Sequence, residues 1–277
     1  MKKSWLLPVT VLLALSLAAC NSPAPAPAPV NPVIRLSTTT SVNDSGLLPY
    51  LQPAFEAKTG YRLEITSGGS GAAIKLGETG DADCLLVHSA AAEEEFVANG
   101  FGLKRIPFMY NYFVIAGPVF DPLALADCAT ASLALQKIAQ SKTVEFVSRG
   151  DDSGTHNAEK KIWQGLGIEP TGQSWYISAG AGMGACLNQA NERLAYILTD
   201  KATFLAMAEK LDLAILLEQS EEMKNTYSLI AVNPAKHSSI NSAGAEAFII
   251  WMQSEEAKTL IAEYGKAQYS EALFYNL

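Results

Sequence analysis

The stretch from Ser148 to His156, S-R-G-D-D-S-G-T-H, joins two segments of opposite character. Before it, Thr143-Val144-Glu145-Phe146-Val147 is rich in β-branched and aromatic residues and predicts a strand. After it, Ala158, Ile162, Trp163 and Leu166 recur on one helical face, and Gly167 closes the run. A strand, a polar loop and a helix start form the unit from which α/β sheets are wound, and ligands of such sheets bind where strands end. Two further stretches repeat the plan. Ser37–Ser45 follows the run Val33–Leu36 and leads into a helix through Leu47, Leu48, Leu51, Ala54 and Phe55 that ends at Gly60. Thr66–Ala72 follows the run Tyr61–Thr66 and leads into Ala72, Ala73, Ile74 and Leu76. A helix start carries unpartnered backbone N–H groups and the positive end of the helix dipole, so three such loops predict an anion site. Arg149 contributes a planar fork of donors, and Ser153 and Thr155 contribute hydroxyls. Ser37 to Thr40 are four consecutive hydroxyl residues followed by Ser41, more than one helix cap requires.

The same alternation continues along the chain. Asp83–Val87 reads as a buried strand ending at His88, and Glu93-Glu94-Glu95 as the solvated face of a helix. Phe108–Gly117, stopped by Pro118, is long enough to cross from one lobe to another. Ala131–Gln140 predicts a helix, Trp175–Ser178 a strand, and Gly180–Gly184 a second glycine-rich turn before a helix through Leu187, Ala190 and Leu194. The strands Ala195–Leu198 and Tyr227–Val232 follow, with helices carrying Phe248, Ile249, Trp251, Met252, Leu260 and Ile261 at the end. Pro53 is expected to kink its helix or cost it a hydrogen bond.

The N-terminus reads differently. Lys2 and Lys3, the apolar run Trp5–Leu17 and Leu17-Ala18-Ala19-Cys20 make residues 1–19 a signal peptide. Cys20 after L-A-A resembles a bacterial lipobox, which implies lipid on its sulfur. Residues 20–32, rich in Pro and Ala, read as an extended tether between that lipid and the folded domain. With the signal removed the formal charge falls from −8 to −10, which argues against nucleic acid or anionic lipid as partners; the membrane is met through the lipid only. A small anion is still compatible, because local dipoles govern its affinity. Cys84 reads as a buried thiol, and a Cys128–Cys186 bridge is open.

A hydrolase is the competing class. Gly150-Asp151-Asp152-Ser153-Gly154 departs from G-D-S-G by the inserted Asp152, and G-G-S-G-A around Ser70 departs from G-x-S-x-G at Ala72. Asp151 and Asp152 read as loop structure or as a partner fixing the Arg149 fork, and His156 as a capping or packing residue. His88 and His237 lack metal-ligand spacing, so the expectation is no metal, no cofactor and no enzyme activity. A surface scaffold, the third class, would have no use for three donor-rich loops.

The order of motifs is more specific than any one of them. T-T-T-S-V-N-D-S-G-L-L from Thr38, G-D-A-D-C-L-L-V-H from Gly80, M-Y-N-Y-F-V-I-A-G-P from Met109, S-R-G-D-D-S-G-T-H, G-A-G-M-G, A-Y-I-L-T-D and N-T-Y-S-L-I-A-V-N-P together resemble the binding proteins of bacterial tungstate ABC importers, over essentially everything after the tether. The resemblance implies a two-lobed α/β periplasmic-binding-protein fold of type II, each lobe a sheet flanked by helices, with residues 33–113 plus 227–277 as lobe I and 114–226 as lobe II. It implies an oxyanion in the cleft, tungstate or molybdate, with an ABC permease and its ATPase subunit as partners at the outer face of the cell membrane. Carried onto this chain, the ligand residues fall on Thr39, Thr40, Ser41, Ser70, Arg149 and Thr155, with Ser153, Gly154 and the backbone of Met183 and Gly184 beside them. Tyr112 stands where the family usually has Asp, and Cys84 where it has an apolar residue. Phosphate- or sulfate-binding transporter proteins are the nearest alternative. Phosphate carries a proton at neutral pH and suits a site with a carboxylate acceptor, whereas tungstate has no proton to donate. Phosphate binders end the strand matching Asp83–Val87 in Asp; here the residue is His88.

Overall fold

The computed structural model describes residues 29–277; the signal segment, Cys20 and the tether up to residue 28 lie outside the described residues. The chain runs β1 (Val33–Thr39), α1 (Thr40–Asp44), α2 (Leu47–Thr59), β2 (Arg62–Gly68), α3 (Ser70–Thr79), β3 (Cys84–Val87), α4 (Ala90–Ala98) and β4 (Ile106–Pro118). It continues α5 (Ala131–Ser141), β5 (Phe146–Ser148), α6 (Gly154–Gly165), β6 (Tyr176–Ser178), α7 (Met183–Arg193), β7 (Tyr196–Asp200), α8 (Lys201–Met207) and β8 (Leu213–Leu217). The last elements are β9 (Lys224–Ala231), α9 (Ser242–Met252), α10 (Glu255–Glu263), α11 (Lys266–Tyr269) and β10 (Tyr275–Asn276).

The strands lie in the order β2-β1-β3-β9-β4-β7-β5-β6, with β8 and β10 also paired to β4. β1, β2 and β3 are mutually parallel, β9 is antiparallel to β3 and to β4, and β5, β6 and β7 form a second parallel set antiparallel to β4. β4 changes neighbour midway: Ile106–Tyr112 pair with β9, whereas Phe113–Ala116 pair with β7. The two parallel sets therefore run toward each other, and their carboxyl ends meet across the middle of β4. Helices begin at those ends, so loops after β1, β2, β3, β5 and β6 face one crevice.

Strand periodicity sorts the core. Cys84 and Leu86 point to a cluster with α2, α9 and α10, while Leu85 and Val87 point to the opposite face, against α3 and α4. In the other half Phe113, Ile115 and Phe146 pack with Trp163 and α5, while Ala116, Val147 and Ile197 pack with α7 and Phe204. Each half of the sheet thus has apolar layers on both faces, the pattern of helix-covered parallel strands.

Several expectations need correction. β1 runs on to Thr39, because Ser37–Thr39 pair with Thr66–Gly68 of β2, and Thr40 to Asp44 coil as a short helix instead of a loop. β2 likewise runs to Gly68, leaving only Gly69 before α3. α2 continues through Pro53 at the cost of one intrahelical hydrogen bond, the second of the two outcomes expected; Pro49 and Pro53 both lie on its exposed face, open to solvent. Glu93 is fully buried: its Oε1 accepts from Ser89 N at 2.6 Å and its Oε2 from Arg105 Nε at 2.6 Å. Burial raises its pKa against the pull of Arg105, so only Glu94 and Glu95 behave as a solvated face. Cys84, Cys128 and Cys186 are all buried free thiols, with Cys128 and Cys186 in different core clusters. α8 and β8 went unread in the sequence. Tyr112 packs edge-on to Tyr110 and Tyr275.

Candidate functional site

The polar loops meet at the crevice. Ser37, Thr38, Thr39 and Ser41 are all at most 2% exposed, although serine and threonine usually lie at surfaces. Thr38 is accounted for by the fold, since its Oγ1 donates to Leu86 O at 2.8 Å. Thr39 Oγ1 and Ser41 Oγ are 3.2 Å apart, and Ser41 Oγ is 3.2 Å from His88 Nε2 at the end of β3. Across the crevice, Arg149 is 3% exposed and both terminal nitrogens lie 3.4 Å from Thr40 Oγ1. The Arg149 fork is ion-paired to Asp151. Burial raises the Asp151 pKa, but hydrogen bonds from Ser153 and the Arg149 charge outweigh it and hold the carboxyl below its usual range.

α3 and α6 start face to face: a Cβ placed on Gly69 would lie 3.6 Å from Ser153 Cα. Two positive helix ends in such proximity disfavour each other unless negative charge sits between them. Ser153 Oγ accepts from His156 N at 3.2 Å and so caps α6, while Gly154 Cα faces the His88 ring across the crevice. The turn before α7 is tied to the Arg149 loop by Ala179 N to Ser148 O at 2.9 Å and Ala181 N to Arg149 O at 3.3 Å. That places Met183 and Gly184, the first residues of α7, beside the Arg149 loop; the Met183 side chain itself is buried in the core.

Several polar atoms around the crevice, Ser37 Oγ among them, have no partner among the described residues, and three lie on the facing loops. Ser70 Oγ, Thr155 Oγ1 and Arg149 Nε are buried and unbonded. Each such donor costs about 1–3 kcal/mol if nothing accepts from it. Three donors on loops that touch one another could be satisfied together by one acceptor-rich group. A cleft of about 580 Å³ opens beside them, bordered by His88, Arg105, Gly154, Lys161, Lys224 and Asn225, residues drawn from both halves of the sheet.

The strand position singles out His88, but its partners are not legible in the sequence. His88 Nδ1 is 2.8 Å from Asn225 Oδ1, and Asn225 Nδ2 is 2.8 Å from both Asn111 Oδ1 and Tyr227 Oη. Burial lowers the His88 pKa to about 4, with Asn225 opposing and the Arg149 charge assisting, so the ring is neutral at physiological pH. Asn111 was legible as a polar residue within the apolar run M-Y-N-Y-F; its partners were not. Asp200, the cap of α8, is also buried and its Oδ1 serves Thr203 N and Oγ1, each at 2.8 Å.

α6 is held down by a buried carboxyl group. Glu159 Oε1 accepts from Trp163 Nε1 at 3.0 Å and from Tyr176 Oη at 2.7 Å. Burial raises its pKa from 4.5 to about 7. The folded state therefore holds the extra proton between those values, and its stability advantage is lost as pH rises through them. Glu159→Gln keeps the acceptor and removes the titration. The urea stability of the variant, relative to the parent, is expected to rise between pH 5 and pH 8 by about 2–3 kcal/mol.

Among the described residues, no group of three His, Cys, Asp or Glu side chains is arranged to hold a metal, and no helix is long and apolar enough to cross a membrane. Residues 26–256 match the family model of the PBP superfamily domain. The chain is 45% identical over 276 residues to the tungstate-binding protein TupA of Peptoclostridium acidaminophilum, covering 97% of this chain and 96% of that protein. It is similar to the crystal structure of the tungstate ABC transporter from Geobacter sulfurreducens, with TM-score 0.78 and 43% identity over 84% of this chain and 98% of that one. It is also similar to the tungstate-binding protein TupA of Desulfovibrio alaskensis, with TM-score 0.76 and 41% identity over 89% and 99% of the two chains. The mixed sheet, the crevice of buried donors and these similarities agree: the chain belongs to the PBP superfamily and, within it, to the family of the tungstate-binding protein TupA.

Proposed function

We propose that this protein is the substrate-binding component of an ABC importer and that it captures a fully ionised tetrahedral oxyanion, tungstate or molybdate, through Thr39, Thr40, Ser41, Ser70, Arg149 and Thr155. Ser153, Gly154 and the amides of Met183 and Gly184 complete the shell. The observation that carries the reading is the group of buried, unpartnered donors at Ser70, Thr155 and Arg149 between two facing helix starts. Hydroxyl and amide dipoles replace the hydration of a dianion, and one guanidinium shared with Asp151 supplies net charge without excess. Residues 33–113 with 227–277, and 114–226, act as lobes that close on the anion, giving the permease and its ATPase subunit a distinct shape to recognise.

No catalytic step belongs to this reading. Ser153 is engaged as a helix cap, and His156 Nδ1 accepts from Asp152 N at 3.0 Å instead of facing the serine. No cofactor is required. A signal peptide over residues 1–19 would direct export, and a lipid on Cys20 would hold the domain at the outer face of the cell membrane. Titration calorimetry with tungstate, molybdate, sulfate and phosphate tests the proposal. Tungstate and molybdate are expected to bind most tightly; phosphate as the tightest ligand would overturn it.

A further inference from the structure

The His88 column links the crossing strands to the anion site. Asn111 lies on β4 two residues before Phe113, where that strand changes neighbour, Asn225 lies on β9, His88 directly follows β3, and Ser41 lies on α1. His88 is clamped: its ring lies 4.9 Å from Tyr227 and 6.2 Å from Phe113, centroid to centroid, and its two nitrogens contact Asn225 and Ser41. A neutral imidazole carries one donor and one acceptor, so this heavy-atom framework supports two proton arrangements.

In the first, Asn225 offers its carbonyl to Nδ1–H. Nε2 then accepts the Ser41 hydroxyl proton, and Ser41 can show the site only a lone pair. This arrangement leaves Asn111 Nδ2 buried without a partner. In the second, both amides are turned. Asn225 donates to Nδ1, its carbonyl accepts from Asn111 Nδ2 and from the Tyr227 hydroxyl, and Nε2–H donates to Ser41. The Ser41 proton is then free for the ligand. The group left over is the Asn111 carbonyl, and a buried carbonyl without a partner is the more tolerable orphan of the two.

We propose that His88 is a positioning and specificity-determining residue: the column Asn111–Asn225–His88 holds the Nε2–H tautomer, so that Ser41 meets the bound anion as a donor and the site selects tetrahedral dianions that carry no proton. The inference rests on the oxyanion-binding reading above. An anion such as hydrogen phosphate has equal charge but needs an acceptor for its proton, and a Ser41 directed by Nε2–H competes poorly for it.

The test uses the protein with imidazole-15N histidine, saturated with tungstate after calorimetry has established binding. His88 is assigned among the three histidines by comparison with His156→Gln and His237→Gln. The expected spectrum has His88 protonated on Nε2 alone; a proton on Nδ1, or on both nitrogens, would overturn the proposal. A second arm is Asn225→Asp at pH 8.5, whose carboxylate only accepts and pins the proton on Nδ1. The ratio of tungstate to hydrogen phosphate affinity should fall by about tenfold or more, and an unchanged ratio counts against the mechanism. Absence of any calorimetric signal with tungstate would remove the underlying reading and this proposal with it, a result distinct from the wrong tautomer.

Discussion

Arg149→Ala is expected to weaken tungstate binding by roughly 30- to 5,000-fold, the equivalent of about 2–5 kcal/mol for removing one partner of a buried charge pair. The side chain is 3% exposed, reaches Thr40 from the opposite half of the sheet, and has an unbonded Nε. Its loss has two consequences. The anion forfeits a charge-assisted fork, and Asp151, whose carboxylate the guanidinium stabilises, is left as a negative neighbour. Arg149→Lys restores the charge but not the planar fork, so it should recover only part of the affinity. Calorimetry on both variants measures the two contributions separately. Affinity unchanged in Arg149→Ala would mean that the anion sits elsewhere.

Gly154→Ala should be nearly as damaging, for a steric reason. An added Cβ would fall on the His88 ring, contacting Cε1, Nδ1 and Nε2. Tyr227 and Asn225 stand behind that ring, so it cannot retreat. The relief available is separation of the two halves of the sheet, which undoes the closed site. Because affinity scales with the fraction of molecules able to close, a loss of roughly 100-fold is expected, with little change in the melting temperature of the unliganded protein. Gly165→Ala is the control on the same helix. A Cβ there meets nothing within 4 Å, and calorimetry should return the parental affinity.

The polar loops at the strand ends could be placed from the sequence because their composition is local. Hydroxyls, glycines and Arg149 lie within a few residues of a helix start, and the strand–loop–helix plan sets their direction. Element ends were less legible: Ser37–Thr39 look like loop residues until β2 supplies the neighbour that draws them into a strand. The His88 column lay beyond reach for a different reason. Its contacts join positions 47, 114 and 137 residues apart, and no local preference encodes them. Glu93 shows the same limit, since a triplet of glutamates looks uniformly solvated until Arg105 twelve residues later claims the first. β8 was missed because L-A-I-L-L is too short and too uniformly apolar to show a period.

The unpaired, buried state of Cys84, Cys128 and Cys186 bears on how the chain can be made. Among the described residues no disulfide holds this architecture together, so the packed core owes nothing to an oxidative step. Glutathione or an added reductant has no structural bond among these residues to attack. Shielding the sulfurs inside apolar layers also denies them to metals and peroxides, leaving the crevice as the place where this protein meets inorganic chemistry.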